Sequence, residues 1–146
     1  MKISLIISLG NPGTEYEKTF HNVGHLMVNF LGRGIKSGVF MNKSGEFVKQ
    51  ELKKAKVKPE ELLLVHDDSD IELGKFKFSF SRNSAGHKGV QDVINHLKTK
   101  EFWRLRIGIR PAKNKEKADQ LVLKKISTTQ MEVLEKVFKE AVEQLI

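Results

Sequence analysis

Ile3 to Leu9 is a mostly apolar run closed by Gly10-Asn11-Pro12-Gly13. That pattern predicts a buried strand followed by a tight turn. Val23, Leu26, Met27, Phe30 and Leu31 recur at helical spacing and predict a helix over 22–31, broken by Gly32, Gly34 and Gly38. Phe47, Val48, Leu52 and Ala55 give a second helical stripe, with Ser44 as its expected N-cap. Leu62 to Val65 is a second buried-strand signal, ending at His66-Asp67-Asp68. From Lys75 to Phe80 the pattern alternates, with Phe76, Phe78 and Phe80 on one face. Ser81 to Gly86 reads as a polar loop, and Val90, Val93, Ile94 and Leu97 mark a third helix. Alternation returns from Arg104 to Arg110: Leu105, Ile107 and Ile109 are expected inward, and Arg104, Arg106 and Arg110 outward. Ser127 and Gln130 form a capping box ahead of a last helix striped by Met131, Leu134, Val137, Phe138, Ala141, Val142 and Leu145.

Buried strands interleaved with helices predict an α/β sandwich. The two half-polar strands add the expectation of a mixed sheet with some antiparallel pairing. Sites in such folds gather at the carboxyl ends of strands. Two strand ends carry polar clusters: Asn11 after the first, and His66, Asp67 and Asp68 after the Leu62–Val65 run.

Length and composition narrow the classes. The 146 residues fit one domain, taken as 1–146. A net charge of +8 suggests a polyanionic partner, nucleic acid before an anionic membrane surface. A solvated, lysine-rich surface accounts for the same charge. The chain has no cysteine, which excludes disulfides, thiolate catalysis and cysteine–zinc sites. No apolar run approaches the about 18 residues of a membrane span. The opening Met1-Lys2 and short strand lack the form of a signal peptide. A cytoplasmic monomer, without membrane or obligate protein partner, is the expectation.

The candidate chemistry centres on His21, at the start of the first helix. An imidazole titrating near neutrality is a natural general base, and Asp67 could hold its ring in the productive tautomer. Each alone has a bland reading, as a helix-start surface residue and a strand-end cap. His21 and His25 lie four apart, but Asn22 stands where a zincin has glutamate, and no third ligand is evident. No metal and no cofactor are expected. Asp67, Asp68 and Asp70 lack the spacing of a calcium loop. No Gly-Lys-Ser/Thr follows the Gly10–Gly13 turn, and no serine lies in a nucleophile elbow. What is left is water activated by a histidine.

Five ordered blocks carry a more specific signal. They are Leu9-Gly10-Asn11-Pro12-Gly13 with Tyr16 and Thr19-Phe20-His21-Asn22-Val23-Gly24; Phe40-Met41-Asn42-Lys43-Ser44-Gly45; Val65-His66-Asp67-Asp68-Ser69-Asp70 with Gly74; Gly86-His87-Lys88-Gly89; and Phe102 to Pro111. Together they resemble the bacterial-type peptidyl-tRNA hydrolases over nearly the whole chain. The resemblance implies a single-domain α/β/α sandwich, its twisted mixed sheet flanked by helices. It implies hydrolysis of the ester in peptidyl-tRNA, which recycles the tRNA. It also implies site roles: His21 as catalytic base, Asp67 as its support, and Asn11 as the residue that tells N-blocked from free aminoacyl-tRNA. Tyr16, Phe40, Asn42 and Lys88 match substrate-contact positions, and Arg106 a tRNA-phosphate contact.

The chain departs from that family pattern at four places. Phe20 replaces the usual arginine, and Lys88 replaces the asparagine of Gly-His-Asn-Gly. A lysine donates like an amide but cannot accept. The Ser81–Ala85 loop is glycine-poor, and the stretch from Leu31 to Phe40 is short. Two competing functions remain at this level. One is a catalytically inactive RNA-binding protein on the same scaffold; the other is a general esterase, disfavoured by the basic strand and the missing serine nucleophile.

Overall fold

The computed structural model describes residues 1–145. Five strands form one sheet: β1 (Leu5–Ser8), β2 (Ile35–Lys36), β3 (Leu62–Glu72), β4 (Phe76–Phe80) and β5 (Trp103–Arg110). Their order is β2-β1-β3-β5-β4. The pairs β1–β2, β1–β3 and β3–β5 are parallel, and β4 runs antiparallel to β5. The mixed sheet expected from the half-polar strands is therefore present. The short stretch after Leu31 supplies only the two-residue edge strand β2.

Helices cover both faces: α1 (Val23–Leu31), α2 (Ser44–Ala55), α3 (Lys88–Leu97), α4 (Ala118–Leu121) and α5 (Thr128–Leu145). Because side chains alternate along a strand, each strand feeds two cores. Ile6, Leu63, Val65, Leu105 and Ile107 meet α1, α4 and α5 on one face. Ile7, Leu9, Leu62 and Leu64 meet α2 and α3 on the other. Strands buried on both faces read as continuous apolar runs, which is the signal of Leu5–Leu9 and Leu62–Val65. The capping box also forms: Gln130 N donates to Ser127 Oγ (3.1 Å), and Ser127 N to Gln130 Oε1 (2.9 Å).

Three expectations need correction. β3 does not end near Val65 but continues to Glu72, because β5 pairs with it through His66, Asp67 and Asp68. Ser44 does not cap α2; it is the first helical residue, and its hydroxyl donates back to Met41 O (2.7 Å). Arg104 and Arg106 do not face solvent, being 1% and 5% exposed. Their guanidinium groups are taken up by what they bind: loop carbonyls at Arg104, and Asp68 and Ser79 at Arg106. Arg104 lies over the Phe102 ring and donates to the carbonyls of Asn83 and Lys100. Arg106 pairs with Asp68, Nε to Oδ2 at 2.9 Å, and donates to Ser79 Oγ at 3.1 Å.

One glycine sets the spacing on which the site depends. A Cβ on Gly24 would lie 2.5 Å from Val65 O and 3.2 Å from Leu9 O. Only glycine lets α1 settle this close to the sheet. The 3-10 turn Phe20–Asn22, which opens α1, is thereby carried to β3. Phe20, the departure from arginine, is 2% exposed and packs into the α1–α5 core. No helix among the described residues is long and apolar enough to cross a membrane.

Candidate active site

His21 is fixed from its own backbone outward. Its N–H donates to Val122 O (2.8 Å), and the flanking Phe20 N–H donates to Lys124 O (3.1 Å). The 3-10 turn is thus tied to the segment after α4. Its side chain reaches β3, where Nδ1 lies 2.8 Å from Asp67 Oδ2. The other carboxylate oxygen, Oδ1, accepts from His87 Nε2, also at 2.8 Å. Asp67 is 1% exposed and so holds both imidazoles from a dry position.

The hydrogen-bond partners settle the tautomers. Val90 N–H donates to His87 Nδ1 (3.2 Å), capping α3, so that nitrogen carries the lone pair. His87 Nε2 then carries the proton that Asp67 accepts. His21 donates Nδ1–H to the carboxylate, which leaves Nε2 as its basic nitrogen. His66 Nδ1 donates to Asp67 O (2.7 Å), and its Nε2 is buried without a partner.

Electrostatics follow from this arrangement. Burial lowers the pKa of His21, but the Asp67 charge and hydrogen bond outweigh it, so the net shift is upward from 6.5. Lys88 opposes that rise. Burial alone would raise the Asp67 carboxyl; His21 and His87 hold it well below the usual carboxylate range instead. Burial, then the neighbouring His87, pushes His66 down. The result is a fixed carboxylate behind an imidazole of raised pKa.

His21, Asp67, His87 and Lys88 line one cavity of about 330 Å³, walled also by His66, Asp68, Val122 and Leu123. Convergent polar groups beside apolar side chains such as Val122 and Leu123 are the usual make-up of a substrate pocket.

The peptidyl-tRNA hydrolase family model matches residues 5–37 and 34–146. The peptidyl-tRNA hydrolase of Aquifex aeolicus is 34% identical over 97% of this chain and 88% of its own length. That of Thermodesulfovibrio yellowstonii is 36% identical over 97% and 90%. The crystal structure of the Acinetobacter baumannii peptidyl-tRNA hydrolase superposes with a TM-score of 0.87 at 30% identity, covering 97% of this chain and 85% of that one. The chain belongs to the peptidyl-tRNA hydrolase family.

The other residues expected from the peptidyl-tRNA hydrolase resemblance lie in four settings. Asn11 is locked by its neighbour across the turn: its N–H donates to Asn22 Oδ1 (2.8 Å), and its carbonyl accepts from Asn22 Nδ2 (2.9 Å). Asn22 follows His21 directly, so Asn11 and His21 share one backbone anchor. Asn11 Oδ1 accepts from Met41 N–H (2.9 Å), leaving Nδ2 as its available donor. Tyr16 and Phe40 meet edge to face, with ring centroids 6.2 Å apart. Asn42 and Lys88 are exposed and line a second hollow together. Arg106 is set apart in its buried pair with Asp68. Sequence reasoning placed His87 in a motif but missed that it grips Asp67. The signal available was a histidine just ahead of a helical stripe, which also suits an N-cap.

Proposed function

We propose that this chain hydrolyses the ester joining a peptide to tRNA, with His21 Nε2 as general base. The observation that carries the proposal is the 2.8 Å contact of His21 Nδ1 with Asp67 Oδ2 at the wall of an open cavity. With Nδ1–H held by the carboxylate, Nε2 has its lone pair free for a water in the cavity. The base takes a proton from that water as its oxygen attacks the ester carbonyl. The C–O bond to the ribose then breaks, and the imidazolium returns the proton to the leaving ribose oxygen. Asp67 stabilises the imidazolium in between. An ester is already activated, so positioning plus one base suffices.

The other residues supply recognition. The Nδ2 donor of Asn11 and the amide of Asn42 suit backbone carbonyls of the peptide, which demands no particular side chain. Tyr16 and the half-exposed Phe40 offer aromatic surface beside them. Lys88 brings a cation to the cavity rim, where it attracts the phosphate-bearing end of the substrate. Arg106 serves this scheme from inside: paired with Asp68, it steadies the strand segment that presents Asp67. Phosphate contacts then fall to exposed lysines, in keeping with the +8 charge.

A binding protein without turnover would have no use for an oriented base beside a buried carboxylate, which favours the enzyme. The test is release of an N-acetylated amino acid from its tRNA by the purified chain, with unblocked aminoacyl-tRNA as comparison. Turnover restricted to the blocked substrate supports the proposal. Tight tRNA binding without turnover would move the chain to the RNA-binding alternative.

A further inference from the structure

The same fold that builds the base also gathers three metal-ligating atoms. One nitrogen each of His21 and His87 and one oxygen of Asp67 all lie within 4.8 Å of one another. Among the described residues no other three histidine or acidic side chains gather as closely. From sequence the metal reading paired His21 with His25, which found no third ligand; the fold instead pairs His21 with residues 46 and 66 positions further on. His25 turns away to Ser8 Oγ (2.7 Å).

We propose that His21, Asp67 and His87 form a site for one divalent transition-metal ion, best matched by zinc, and that the ion switches the base off. Two imidazoles and one carboxylate, with a fourth position open to a cavity, is the donor set of many zinc sites. Hard cations such as magnesium prefer all-oxygen shells and are not expected here. Zinc–nitrogen bonds are about 2.0–2.1 Å and the angles tetrahedral, so bound donors sit about 3.4 Å apart, and rotation of the two rings has to draw in donors that now lie within 4.8 Å. His66 stands outside this group: 4% exposed, its ring packs 5.0 Å from that of His87 and its Nε2 has no partner, so the fourth position of the ion stays open to the cavity.

Inhibition follows from proton positions. A neutral imidazole has one lone pair and one N–H. An ion on His21 Nδ1 forces the proton onto Nε2, so the nitrogen that faces the cavity changes from acceptor to donor and cannot take a proton from water. The ring keeps one proton throughout, so none is lost or gained. On His87, an ion at Nε2 sends the proton to Nδ1, against the Val90 N–H that now caps α3. Metal binding therefore gives up that cap and loosens the start of α3. The inhibition rests on the hydrolase reading; the binding does not, and the two are measured separately.

The experiment titrates the full chain with cobalt(II), whose absorption reports tetrahedral coordination, and then displaces it with zinc. The expected result is one ion per chain, weakened at least tenfold in His21→Ala and in His87→Ala, and unchanged in His96→Ala. His96 is the control because it has its own carboxylates nearby, Asp92 at 3.6 Å and Glu46 at 4.0 Å, and does not line the cavity. Circular dichroism checks each variant; His21→Ala leaves the α3 cap intact and so decides if His87→Ala unfolds. Val90 amide exchange should quicken in the zinc form. Zinc should also stop ester hydrolysis at the concentration that fills the site, with recovery on chelation. No stoichiometric binding, or binding undiminished in both variants, overturns the site. Full activity with the site filled overturns the switch. Metal binding by a chain that lacks turnover would leave the site standing and sink the hydrolase reading alone.

Discussion

Asp67 accepts from His21 with one oxygen and from His87 with the other, so it works only as an anion with two free acceptors. An asparagine there offers one acceptor and one NH₂. One imidazole must then face a donor, and for His21 that drives the proton onto Nε2. Asp67→Asn should therefore fold and cut turnover by up to about 10⁴-fold, the cost of the wrong tautomer in a serine-protease triad. Single-turnover hydrolysis measures it, and a loss under tenfold would contradict the orienting role. Arg106 is the contrasting case. Its alternation along β5 told which face it occupies but not that Asp68 and Ser79 on the flanking strands hold its guanidinium there. Arg106→Ala strands Asp68 at 7% exposure and should cost about 3–5 kcal/mol in denaturant unfolding. A cost below about 1 kcal/mol, with weaker tRNA binding instead, would return Arg106 to the phosphate contacts.

At the scale of elements, the periods in the sequence foretold the strands and helices of both cores, since burial selects the positions that carry the period. Phe76 and Phe78 meet edge to face on one side of β4, as the alternation required. The misses are places where a distant partner decides. β3 runs on through His66–Glu72 because β5 lies beside it, although its polar residues read as a strand end. The grip of His87 on Asp67 joins α3 to β3 across 20 positions, and no local pattern records it. The packing of α1 against the sheet is set by Gly24, and Gly24→Ala must push Val65 O or the helix away. About 1–3 kcal/mol of stability should go, and turnover with it, because the turn bearing His21 opens that helix. Unchanged melting and turnover would mean that α1 has room to spare. His25, one residue on, tests the same region by pH. Burial and nearby Lys36 hold its pKa down to about 4, so the folded chain resists a proton that the unfolded chain accepts at 6.5. Stability should fall as pH drops from 6.5 towards 4. His25→Gln, which keeps a partner for Ser8, should show a shallower fall in melting temperature over that window. Equal slopes would remove His25 from the acid sensitivity.

For the whole molecule, two signals stand side by side: a net charge of +8, and one oriented histidine in a cavity. The compositional reading of a polyanionic partner and the motif reading of a histidine base converge on one substrate, a peptide ester of tRNA. They also come apart under mutation, because His21 lines the cavity and its loss as a neutral side chain leaves the net charge of +8 unchanged. The most direct measurement is hydrolysis of N-acetyl-aminoacyl-tRNA by His21→Ala, alongside its tRNA affinity at two salt concentrations. The account predicts loss of turnover by several orders of magnitude, with binding and its weakening by salt as in the parent chain. Turnover near that of the parent would contradict it, for no other residue described here stands ready as the base.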